Sequence, residues 1–131
     1  MSDDQGPLGA VDLAATTLYV DDLDAAIRWY QTVLGFEPLM VGTDGHRYAT
    51  YQIGGALVVL EPIEAAIEPA VPGSESTTIN VIVKRDATEV RKELMDRGAS
   101  CSEIVPSPHY RSFLMRDCDG NRFYVAQPVT A

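Results

Sequence analysis

Two carboxylates and a glycine stand together in Asp117-Cys118-Asp119-Gly120-Asn121, which runs straight into Arg122-Phe123-Tyr124-Val125. Closely spaced acids suggest a calcium loop. Such a loop also needs further spaced oxygen ligands and a closing glutamate, and neither follows here. The segment is read as a tight turn that aims the next strand. Tyr124 stands in that strand, four residues past the glycine. A phenol there can stack on a planar ligand or give a hydrogen bond. Glu61, before Pro62, and His109, in the loop Pro106-Ser107-Pro108-His109-Tyr110, are the other candidates for chemistry. A carboxylate base with a phenol or imidazole acid could move a proton beside a carbonyl, if all reached one substrate with tuned pKa values. No nucleophile-elbow or serine–histidine–acid pattern appears. His46 and His109 form no HxH or HxxxH pattern, and Cys101 and Cys118 form no CxxC and no disulfide framework. Local spacing supplies no metal site, although ligands from separate strands could converge.

The elements that must position these groups come in two copies. LAATTLYV ends at Val20 and TTINVIV at Val83, 63 residues apart, and each is followed by acidic or charged residues. DLDAAIRWYQTVLG closes on Gly35 and DATEVRKELMDRG on Gly98, again 63 apart. Leu23, Ala26, Ile27, Tyr30 and Leu34 follow helical spacing in the first helix, and Ala87, Val90 and Leu94 in the second. Asp21 or Asp22 caps the first; Asp86 with Glu89 three residues on suits a capping box for the second. Trp29 is read as a packing residue. Short β-type runs follow each helix: PLMVG, HRYATYQI and ALVVLE, then SEIV, RSFLMR and NRFYVAQ, separated by TDG, GG, PSPHY and DCDG.

Each half therefore reads β-α-β-β-β, and the fold class is α+β. The expected layout is a single domain over 1–131, with modules at about 12–62 and 77–128. A proline-, acid- and serine-rich linker at 63–76 joins them. One helix covers one face of each small sheet, and the other face must line a cavity or bury itself elsewhere. Two such curved sheets facing each other would make a cleft. Period-two alternation sends Leu18, Val20, Ile79, Val81, Val83, Phe123 and Val125 toward the helices. It sends Ala15, Thr17, Tyr19, Thr78, Asn80, Ile82, Arg122, Tyr124 and Ala126 toward the cleft. Tyr48 and Tyr51 cannot both face it.

Nineteen acids against ten bases give a net charge of −9 over 131 residues, which argues against nucleic acid and anionic membranes as partners. No apolar run approaches the roughly 18 residues needed to span a bilayer, and the acidic N-terminus does not read as a signal peptide. A cytoplasmic location is the default expectation.

TTLYVDDLDAAIRWYQTVLGF together with FLMRDCDGNRFYVAQ resembles the vicinal oxygen chelate superfamily, which includes glyoxalase I, bleomycin-resistance proteins and extradiol dioxygenases. The resemblance spans roughly residues 12–128 and implies the glyoxalase-like fold. It also implies that Asp117–Asn121 is a connection between strands, with cysteine where proline is commoner. Metal-dependent members carry ligands on the first, fourth, fifth and eighth strands. Transferred here, these positions fall on Ala15, Thr78 and Tyr124, with Glu61 for the fourth strand in a register uncertain by two residues. Alanine has no donor atom, and a hydroxyl and a neutral phenol bind divalent metals poorly. No metal and no cofactor are expected.

Metal-lacking relatives of the bleomycin-resistance type bind drugs in grooves shared between two subunits. The resemblance thus implies sequestration of a small aromatic natural product or antibiotic, in the manner of drug resistance, by a homodimer. The residues nominated for ligand contact are Thr17, Tyr19, Tyr51, Glu61, Asn80, Ile82, His109, Tyr110 and Tyr124. Two alternatives stay open. One is a cofactor-independent isomerase, epimerase or lyase using Glu61 with Tyr124 or His109. The other is a protein-interaction module. Whether the cleft closes within one chain or between two is also open.

Overall fold

A computed structural model describes residue 7 and residues 15–42, 47–66 and 78–129. The TDG turn, His46, residues 12–14 and 77 and most of the linker lie outside the described residues.

The first helix begins where its sequence says it should. Asp22 is extended, and its carboxylate accepts from the Ala25 N–H, so α1 runs Leu23–Trp29. Its last turn widens into π geometry over Tyr30–Leu34 and stops at Gly35, whose φ of 73° suits glycine. Val33 joins Leu23, Ala26 and Tyr30 in the buried face, while Leu34 is only half-buried. The second helix, α2, spans Ala87–Asp96. Asp86 accepts from Thr88 N–H, and the second N-terminal partner is remote: Gln127 Oε1 accepts from Ala87 N–H at 2.8 Å.

Among the described residues, nine strands run around them: β1 Thr16–Val20, β2 Met40–Gly42, β3 Tyr48–Ile53, β4 Ala56–Pro62, β5 Thr78–Ile82, β6 Ser100–Cys101, β7 Val105–Pro106, β8 Tyr110–Arg116 and β9 Arg122–Pro128. The first sheet has the order β1-β4-β3-β2, with β1 parallel to β4 and the remaining pairs antiparallel. The second repeats the pattern as β5-β9-β8-β6, with β7 also on β8. Gly54-Gly55 makes the two-residue β3–β4 hairpin, with Gly54 at φ 59°.

One strand departs from the sequence expectation. SEIV at 102–105 is not continuous; β6 ends before it and β7 starts at its last residue. Ser102 N–H still donates to Leu114 C=O at 2.8 Å, but the return bond goes to a side chain: the Ser102 hydroxyl accepts from Leu114 N–H at 2.9 Å. The chain can then bulge away from β8 and return.

The helix-side faces of both sheets feed one continuous core that includes Leu18, Val20, Tyr51, Leu60, Phe113, Met115, Phe123 and Val125. Tyr30 sits at its centre, fully buried, with ring centroids 5.1 Å from Tyr51 and 6.2 Å from Phe123. One tyrosine of α1 therefore packs on both sheets at once. Trp29 packs edge-on against it at 5.5 Å, as a packing residue should. No described helix is long and apolar enough to cross a membrane.

Candidate ligand-binding site

The acidic turn is a clasp between the two modules. Asp117 is buried at 6% exposure, yet both carboxylate oxygens are fully used. One accepts the N–H groups of Asp119 and Asn121, each at 2.9 Å. The other accepts from Tyr30 O–H at 2.7 Å and from the Asn121 side-chain amide at 3.0 Å. The same amide donates to Tyr19 C=O, and the Asp21 N–H donates to Asp119. The turn of the second module is thus bonded to the first strand and first helix of the other. Asp117, Cys118 and Asp119 do lie close enough together to suggest a cation triad. Four donors already surround Asp117 and the backbone occupies an oxygen of Asp119, so the cluster's oxygens serve the fold. Burial, and then the neighbouring Asp117 and Asp119 carboxylates, push the Cys118 thiol up to about 12.

The open face of the second sheet follows from register. Thr78 pairs with Arg122, Asn80 with Tyr124, Ile82 with Ala126, and Ser112 with Ala126 on the other side. These residues share one face, opposite Phe123 and Val125. Part of that face, without Thr78 and Arg122, forms a hollow of about 270 Å³ lined by Asn80, Ile82, Val105, Tyr110, Ser112 and Tyr124. Its polar groups are not loose. Tyr124 O–H and Ser112 Oγ are 2.7 Å apart in a hydrogen bond, which orients the phenol. Ile82 is 62% exposed and Tyr124 38%, so the hollow is shallow and its walls are wet. A second hollow of about 330 Å³ lies between the Gly54-Gly55 hairpin and β5, and shares Asn80 and Ile82 with the first.

The structure sorts the nominated residues into three groups. Asn80, Ile82, Tyr110 and Tyr124 come together in the hollow. Thr17, Tyr19 and Glu61 lie on the outer face of the first sheet, where Tyr19 is the register partner of Glu61. They do not line the hollow beside Tyr124. His109 is exposed at the start of β8, and its carbonyl accepts from Val129 N–H. Neither Glu61 nor His109 is brought into the hollow with Tyr124, as an acid–base pair would require.

Tyr51 is the correction. It lies on the core face of β3 opposite Val58, with no exposed surface. A ligand in the hollow cannot reach it. Tyr48, three residues earlier and of opposite parity, faces outward, and its hydroxyl lies 3.1 Å from the Met40 sulfur. Sequence alternation allowed either tyrosine; the pairing of Ile53 with Ala56 in the hairpin decides between them. Sequence reasoning also missed Ser112 and Val105. Ser112 was legible, since Phe113 and Met115 point inward and the alternate positions of the strand must point out.

The donor set does not suit a divalent ion. The Thr78 hydroxyl accepts from both Nε and Nη2 of Arg122, and the Tyr124 phenol is bonded to Ser112. Ala15 offers no ligand atom. A guanidinium on Thr78 repels a cation at that point.

Residues 12–125 match the family model described as Glyoxalase/Bleomycin resistance protein/Dioxygenase superfamily. Among solved structures, a member of that superfamily from Sphaerobacter thermophilus superposes with a TM-score of 0.77 at 25% identity, covering 90% of this chain and 98% of its own. TnmS3, an antibiotic binding protein from Streptomyces sp. CB03234, gives 0.73 at 23% identity, covering 92% and 98%. A glyoxalase-related enzyme from Fulvimarina pelagi gives 0.70 at 21% identity, covering 90% and 88%. No curated protein matches the sequence.

Proposed function

The chain belongs to the glyoxalase/bleomycin resistance protein/dioxygenase superfamily, and on that premise we propose that it binds a small aromatic natural product, of the antibiotic kind, without a metal ion and without converting it. The observation that carries this reading is the state of the positions where related enzymes hold a metal. Thr78 is engaged by Arg122, Tyr124 by Ser112, and Ala15 has no donor atom, which leaves Glu61 as the one carboxylate among these positions. Without a metal the site lacks a Lewis acid and a low-pKa water. What stays is a concave wall of mixed character: Ile82 and Val105 for apolar contact, Tyr124 and Tyr110 for stacking, Asn80 and the Ser112–Tyr124 pair for hydrogen bonds. The likeness to an antibiotic binding protein agrees with it.

The hollow, at about 270 Å³, falls just below the roughly 300–1,000 Å³ that encloses a drug-sized molecule. A second copy supplies the missing wall in this proposal. Exposed apolar side chains accompany the open sheet faces: Leu39 and Met40 beside β3, Ile82 and Val105 at the hollow. A homodimer would cover surface that a monomer leaves wet.

The test is a thermal-shift screen of aromatic antibiotics, followed by long incubation with each hit. Binding raises the melting temperature, and the ligand should be recovered chemically unchanged. Product formation would transfer the protein to the enzyme alternative. Elemental analysis of protein purified without chelators should find less than a stoichiometric amount of zinc, nickel, manganese or iron; one equivalent would overturn the metal-free reading. Sedimentation at micromolar concentration should show a dimer of the 14.2 kDa chain.

A further inference from the structure

Arg122 is the side chain that this reading leaves unexplained. It is half-buried on the open face of β9, and its hydrogen-bond partner is the neutral hydroxyl of Thr78. Four of the other arginines pair with carboxylates: Arg47 with Asp24, Arg85 and Arg97 with Glu93, Arg91 with Glu103. Arg122, half-buried and bonded to a hydroxyl, keeps donors that no acid takes up. Its direct cross-strand neighbour is another cation, Arg116, which donates to Gly120 C=O.

We infer that the ligand of this site is an aromatic acid, whose carboxylate is held by Arg122 while its ring lies against Tyr124. The inference rests on the binding reading proposed above and narrows its ligand class. A guanidinium has five N–H donors in a planar fork. Two of Arg122's are spent on the Thr78 oxygen, which fixes the plane of the fork. The remaining donors are free to take a carboxylate in two-point fashion, an arrangement lysine cannot copy. Tyr124 follows Arg122 by two residues on the same face, so the two side chains stand roughly 7 Å apart along the strand. That spacing suits a bicyclic or tricyclic ring with an acid group at its edge. Asn80, the register partner of Tyr124, flanks the same ring position. The chain's negative net charge repels anions at a distance, so Arg122 supplies selectivity at contact.

The experiment compares 2-naphthoate with 2-naphthamide, and anthraquinone-2-carboxylate with its amide, by titration calorimetry near neutral pH. Wild type, Arg122→Gln and Arg122→Lys are used, with melting curves as a folding check. Each acid should bind wild type about tenfold more tightly than its amide, as expected for a charge-assisted pair. Arg122→Gln should bind acid and amide alike; Arg122→Lys should keep part of the preference. In wild type, the Arg122 Nε–H resonance should shift with the acid and stay put with the amide, a readout that does not depend on either variant folding. Equal binding of acid and amide to wild type overturns this inference and leaves the binding proposal standing. So does a preference that survives Arg122→Gln, or an Nε–H resonance that ignores the acid. Failure of all four probes to bind at millimolar concentration counts against both.

Discussion

Replacing Asp117 with alanine should cost about 3–5 kcal/mol, because it strips one acceptor group from four buried donors. Those donors are the Tyr30 hydroxyl, the Asp119 and Asn121 backbone N–H groups and the Asn121 amide, at 2.7, 2.9, 2.9 and 3.0 Å. The carboxylate is 6% exposed, so water cannot readily take its place. Tyr30→Phe removes one donor and leaves the other three bonds intact; its cost should be about 1–2 kcal/mol, that of a single bond to a charged acceptor. The two residues stand 87 positions apart, in different modules. A double-mutant cycle should therefore return a coupling of about 1–2 kcal/mol that belongs to module docking. Domains of this size have about 5–15 kcal/mol of stability in total, so Asp117→Ala should remain folded but melt well below wild type. Urea unfolding followed by Trp29 fluorescence gives all four corners. A loss under about 1 kcal/mol for Asp117→Ala, with an unchanged denaturant slope, would refute the clasp; so would strict additivity of the two substitutions.

Tyr51→Phe should be neutral or stabilising by up to about 1 kcal/mol, since the Tyr51 hydroxyl is buried and has no hydrogen-bond partner. Urea midpoints of the two proteins check this, and unchanged ligand affinity in the variant would agree with its place in the core. Stability should fall as pH rises above about 10. Burial, then Asp117, holds the Tyr30 phenol well above the usual tyrosine range, and burial pushes Tyr51 up to about 12. The unfolded chain ionises both near 10, so it releases protons that the folded state retains, and the loss approaches about 1.4 kcal/mol per pH unit per tyrosine. Urea midpoints taken across that range should drop in wild type and drop less in Tyr30→Phe. Cys118, exposed yet with its thiol pushed up to about 12, should react with iodoacetamide near pH 8 far more slowly than free cysteine; mass spectrometry of the time course decides it, and a rate equal to free cysteine would contradict the assigned environment.

Much of the scaffold was present in the sequence because it is encoded by neighbours. Asp22 before Leu23-x-x-Ala26-Ile27 is a cap followed by a buried stripe, and both features act within one turn of chain. Alternation in β1, β5 and β9 separated the core face from the open face for the same reason: the pleat has period two wherever a strand exists. The repeat of strand, helix and glycine at 63 residues carried the doubling of the module.

Tertiary structure decided everything that depends on how one segment meets a distant one. Whether Tyr48 or Tyr51 looks outward depends on hairpin register, and no local pattern sets it. Asp117 is an ordinary turn residue in sequence; only docking of the second module against α1 brings it to Tyr30. Thr78 and Arg122 are 44 residues apart, and only parallel pairing of β5 with β9 joins them. Glu61 and Tyr124 suggested a catalytic pair on paper, and the fold assigns them to different sheets. Periodicity states which side chains share a face, because that is a property of their own strand. Which face turns to the core, and what it meets there, is a property of two strands, fixed only when they pair and pack.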